Sequence, residues 1–134
     1  MAQRLLESKT KMTDTALSLA AYPSIPTGTL TASTVVKSAP GLLTGYTIEA
    51  ISTEGDLTVE VWDMDAAMVA AVVGVPNAVT HLRVARLTLR TTTIGDMASW
   101  ATPNECGVEC QYGIYFYMTG DGQEPTYIVH GYYK

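Results

Sequence analysis

The chain has 134 residues, 47% of them apolar and only 16% charged, with a net charge of −5 at neutral pH. That length suits one domain with a real core and is too short to expect two. A net negative chain lacks the cationic footprint that displaces counterions from phosphates, so no nucleic acid is expected as a partner.

The first 34 residues differ from the rest. "SKTKMTDTALSLAAYPSIPTGTLTAST" is rich in Thr, Ser and Ala, with Pro23 and Pro26 close together. Leu5, Leu6, Met12, Ala16, Leu17 and Leu19 line one side of a short helix only loosely. Residues 1–34 are therefore expected to form an extended arm, either mobile or ordered by a partner, ahead of a folded domain over 35–134. Lys9, Lys11 and Asp14 fall where a signal peptide needs its apolar stretch, so Sec-type export is not expected.

From Val35 onward the period becomes two. In "GLLTGYTIEAI", Leu42, Tyr46, Ile48 and Ala50 share one face, with Thr47 and Glu49 on the other. "TEGD" supplies turn chemistry, and "LTVEVWD" then sets Leu57, Val59 and Val61 inward and Thr58, Glu60 and Trp62 outward. Together these stretches predict a hairpin. "AAMVAAVVGVP" mixes helix-favouring alanine with strand-favouring valine, and its place after a hairpin favours a short strand. The 11 residues of this longest apolar run fall well short of the roughly 20 a helix needs to cross a bilayer, so no membrane partner is expected.

"LRVARLTLRTTT" alternates again, with Ala85, Leu87 and Leu89 against Arg86, Thr88 and Arg90. Strict alternation places Arg83 on the opposite face from Arg86 and Arg90, all three as solvated charges or ion-pair partners across an interface. A loop with Trp100 and Pro103 is expected over 95–105. Cys106 and Cys110 on one strand would lie about 13 Å apart, too far for a disulfide, and are expected as two small buried residues.

"YGIYFYMT" and "TYIVHGYY" flank the turn-rich "GDGQEP" and predict a C-terminal hairpin. On its first strand Ile114, Phe116 and Met118 share one face and Tyr115 and Tyr117 the other, so both faces carry bulk. A strand with one wet face would show polar residues there. Seven or eight strands with no long helix predict an all-β, two-layer antiparallel sandwich.

Convergent reactive groups are scarce. No nucleophile elbow, phosphate loop or zinc-protease helix occurs, so no enzyme and no cofactor is expected. Cys106, Cys110, His81 and His130 make a zinc site only if the chain turns to bring the sulfurs together. Asp63 with Asp65, and Glu54 with Asp56, read as turn residues bonding their own backbone. Among aromatics, Tyr115, Tyr117, Tyr132, Tyr133 and Trp62 are left over once the core is filled. Tyrosine suits a place apolar at one end and hydrogen-bonding at the other, which describes a subunit interface. On that reading, Tyr115 and Tyr117 can both become Ser in a domain that stays folded.

The runs "KSAPGLLTGYTIEAISTEGDLTVEVWD" and "ECGVECQYGIYFYMTGDGQEPTYIVHGYY" resemble small structural proteins of tailed bacteriophages. The matching residues are Ala39, Pro40, Gly41, Leu43, Gly45, Leu57, Val59 and Asp63, then Gly113, Tyr115, Gly120 and Tyr132. The resemblance covers about 35 to 133. It implies a jelly-roll-like sandwich that decorates or cements a capsid as a dimer or trimer, with the major capsid protein as partner and the virion surface as its location. It carries no catalytic residues. A tail, baseplate or receptor-binding component, or a small carbohydrate-binding sandwich, is the alternative.

Overall fold

Among the described residues, alternating apolar residues build nine strands, joined by one short helix: β1 Ile25–Leu30, β2 Thr34–Lys37, β3 Gly41–Ala50, β4 Asp56–Asp63, α1 Ala66–Ala71, β5 Leu82–Arg90, β6 Met97–Ala101, β7 Val108–Cys110, β8 Ile114–Thr119 and β9 Tyr127–Tyr133. The computed structural model describes residues 19, 21–51, 55–72, 74–90, 93–103, 106–119 and 127–134. Two antiparallel sheets face each other. Sheet A has the order β1-β9-β3-β6, with β7 pairing the other end of β3, and sheet B the order β2-β8-β4-β5. With β6 and β7 taken as one interrupted strand along β3, this is the strand order of a jelly roll.

That order corrects both expected hairpins. β3 lies in sheet A and β4 in sheet B; β8 lies in sheet B and β9 in sheet A. Alternation shows which residues face the core, but both sheets offer the same apolar inner face, so it does not choose the neighbour. β4 and β5 follow one another and pair directly, through a segment that carries α1.

The core lies between the sheets. Leu43, Tyr46, Ile48 and Ala50 of β3 and Val129 of β9 meet Leu57, Val59 and Val61 of β4 and Ile114 and Phe116 of β8. Tyr46 sits edge-on to Phe116 at 5.5 Å, and its hydroxyl crosses the gap to donate to the Val59 carbonyl at 3.1 Å. A buried phenol needs such an acceptor, and this one ties the two sheets together.

Three further expectations are corrected. Residues 66–71 form helix, because the Asp65 side chain caps them by accepting from the Met68 amide at 2.8 Å and alanine favours the conformation. The expected loop over 95–105 contains β6, which pairs with β3 from Gly45↔Ala101 to Glu49↔Met97. Gly95, at φ 95°, lets the chain turn back so that Gly95 and Ala50 bond at 2.9 Å. The expected arm contributes β1, an edge strand on β9 with Leu30 in the core, so the sandwich begins before residue 35. Residues 1–18 lie outside the described residues.

Candidate interaction surface

The outer face of sheet B explains the surplus aromatics differently from the sequence. Trp62 of β4 and Tyr115 of β8 are cross-strand partners on that face, as alternation predicts. Yet both are buried, at 2% and 8% exposure. Met68, Val69 and Val72, on α1 and its C-cap, pack over them together with the fully buried Met64. The cover for this second apolar face is the chain's own helix. Trp62 and Tyr115 are thereby withdrawn from contact with a neighbour. Tyr117, half-buried, remains at the margin of the cluster.

Asp63 holds that arrangement in place. It is a buried carboxylate, accepting from the amides of Gln111 and Tyr112 at 2.8 Å each and of Gly113 at 3.3 Å. It thus fastens the turn before β8 to the end of β4, and is not the surface turn residue expected. Gly113 is required at this point, since a Cβ there would lie 2.5 Å from the Met64 carbonyl and 2.6 Å from that of Lys37. Asp65 caps α1, Asp56 pairs with Arg90 at 3.9 Å, and Glu54 lies outside the described residues.

The arginines are also satisfied internally. Glu60 takes Arg83 at 2.8 Å and Arg86 at 3.7 Å, and accepts from the Trp62 indole at 3.2 Å. Arg83 joins the face of Arg86 because a bulge intervenes: Val61 pairs with Ala85 and Trp62 with Arg83, so Val84 is the extra residue. Strict alternation had placed Arg83 on the other side.

Sheet A presents a different outer face. Pairing sets Pro26, Tyr132, Gly45 and Ala101 in one row, Thr29, His130, Thr47 and Ser99 in the next, and Ile128, Glu49 and Met97 in a third. Glu49 is the sole carboxylate among these positions. Tyr132 and Met97 are exposed, at 47% and 58%. Gly45 contributes no side chain, so a hollow of about 240 Å³ opens beside Tyr132, lined also by Ser24, Thr47, Ser99, Trp100 and Ala101. Thr47 and Ser99 share a hydrogen bond of 2.9 Å across its edge. Of the residues expected at an interface, Tyr132 stands on this face. Tyr133 is turned inward and half-buried against the core. The hollow itself was not foreseen, because 97–101 read as loop; Gly45 and Thr47 alternating with Tyr46 were its visible half.

A second cleft, of about 360 Å³, lies at the end of the sandwich beside α1. Met68, Leu82 and Tyr112 give it an apolar rim, with Leu82 61% and Tyr112 53% exposed. Asp63, Glu109, Gln111, Thr80 and His81 give it a polar floor. His81 Nδ1 is buried there with no hydrogen-bond partner.

The cysteines and histidines weighed as a zinc set lie in different parts of the fold. Cys106 is exposed and Cys110 buried, both free, which corrects the expectation that both are interior. Burial first, then the nearby Asp63 and Glu109 carboxylates, push the Cys110 thiol up to about 12. His81 lies just before β5 of sheet B, whereas His130 stands on the outer face of sheet A. Among the described residues no cluster of three or more His, Cys, Asp or Glu is arranged to hold a metal ion. No known protein family matches the chain, and neither does any curated protein or solved structure.

Proposed function

We propose that this chain is a structural virion protein that decorates or cements a bacteriophage capsid by adhesion, bound both to its own kind and to the shell. The observation that carries the reading is the presence of two separate exposed apolar surfaces on one small domain. One is the charge-poor outer face of sheet A around Tyr132, the other the cleft rim at Leu82 and Tyr112. A cement must hold two things at once. Each surface, when covered, contributes roughly 25 cal/mol per Å² of apolar area before the costs of association, and repetition over a shell adds avidity. The resemblance of the runs over 37–63 and 105–133 to small structural proteins of tailed bacteriophages points the same way.

The test is binding of purified protein to phage capsids stripped of it. Saturable binding that Tyr112→Ser weakens is expected. Binding to glycans, with none to capsids, replaces this reading with a receptor-binding tip.

A further inference from the structure

We propose that the outer face of sheet A is where two copies of this chain dock, Tyr132 of each entering the hollow over Gly45 of the other. The proposal rests on the adhesive reading of this face and not on the virion assignment.

The first argument is the match between hollow and occupant. The hollow combines apolar lining from Ala101 and the Tyr132 ring with hydroxyls of Ser24, Thr47 and Ser99, while the Trp100 ring is turned inward against Tyr46. It therefore suits a side chain with an apolar ring and a hydrogen-bonding tip, which is the description of tyrosine. The chain exposes such a group on the same face, since Tyr132 is the cross-strand partner of Gly45.

The second argument is symmetry. β9 and β3 are the two central strands of the order β1-β9-β3-β6, so Tyr132 and Gly45 lie on either side of the sheet's midline. A two-fold axis along that midline sets each Tyr132 against the other copy's Gly45, an isologous contact in which knob and hole are exchanged. The same axis lays the whole four-strand face on its counterpart with strands aligned, as sheets pack in sandwiches. Thr47 then meets the other copy's His130, and Ser99 its Thr29.

The third argument is charge. Glu49 is the one carboxylate among the outward positions of β1, β9, β3 and β6 named above, and its cross-strand neighbour is Ile128, on the far side of the axis. The two Glu49 side chains are therefore set apart, each near the other copy's Ile128 and His130. No like-charge pair opposes the contact. On the outer face of sheet B, by contrast, Glu60 with Arg83 and Arg86 and Asp56 with Arg90 form ion pairs that remain accessible to water.

Sedimentation equilibrium of the full chain in reductant, which keeps the exposed Cys106 from cross-linking copies, tests the proposal. The wild type is expected to dimerise. Tyr132→Asp is expected to weaken dimerisation by more than about tenfold, as loss of a central aromatic anchor does. Tyr112→Ser, altered at the other surface, is expected to leave the mass unchanged. Thr47→Arg, on the same face but away from the core, gives the same result as Tyr132→Asp and serves where that variant fails to fold. A wild type that stays monomeric, or one that dimerises equally well with either substitution on sheet A, overturns the proposal. Capsid binding is not involved, so failure here is separate from failure of the virion reading.

Discussion

Asp63 accepts three backbone hydrogen bonds from 111–113 while buried at the end of β4. Water cannot replace a lost acceptor easily at that depth, so removing the carboxylate strands N–H groups that are costly to leave unpaired. Asp63→Ala is expected to lower stability by about 3 kcal/mol or more, at roughly 1–3 kcal/mol for each buried group left unsatisfied. Asp63→Asn, which keeps one carbonyl oxygen, is expected to cost less. Urea unfolding measures both. A cost for the alanine variant within about 0.5 kcal/mol of zero, the range of an ordinary surface change, contradicts the role given to the carboxylate.

At the scale of elements, α1 decides what the second face of β8 does. It brings Met68 and Val69 over Trp62 and Tyr115, so the bulk on that face is core. Tyr115→Ser is therefore expected to destabilise the domain by about 3 kcal/mol, the low end for truncating a buried aromatic. Tyr117→Ser, at the cluster's margin, is expected to cost clearly less. Urea unfolding followed by tryptophan emission reads both, and a Tyr115→Ser variant as stable as wild type restores the surface role that the sequence predicts. The two-layer sandwich and the facing of Leu57, Val59, Val61, Ile114 and Phe116 were legible because a period of two shows directly which side is apolar. Partner choice was not, since β3 and β4 present equivalent inner faces to either sheet. The cap at Asp65, three residues before Met68, was the available signal for α1, but Asp65 reads equally as a turn residue and the segment's place after an expected hairpin favoured a strand. The candidate site was legible only in Tyr132, because the hollow beside it needs β1, β3, β6 and β9 assembled.

The molecule as a whole buries several groups in their neutral form, and this sets how it responds to alkali. Burial pushes the Tyr46 phenol up, with the Glu60 carboxylate adding to it; burial also leads for Cys110, raised from 9.0 to about 12, and for Tyr117, where Tyr115 and Glu60 add to it. In each, the unfolded chain gives up its proton at lower pH than the folded one. Between the two values the folded state holds more protons, so stability falls as pH rises. The contribution is complete below about pH 9, the ordinary thiol value, and is lost progressively as pH climbs toward about 12. Lys37 runs the other way: burial lowers it, and its cost disappears at high pH. It is only partly shielded, so the buried acids dominate. The urea midpoint is expected to drop steadily from about pH 9 to about pH 11 as the acids begin to ionise in the unfolded chain. Tyr46→Phe keeps the ring against Phe116 and loses one hydrogen bond, at a cost of about 1 kcal/mol at neutral pH. It also removes one ionisable group, so its midpoint should fall less steeply above about pH 10. Parallel curves for the two proteins would mean that the Tyr46 phenol has no share in the alkaline loss.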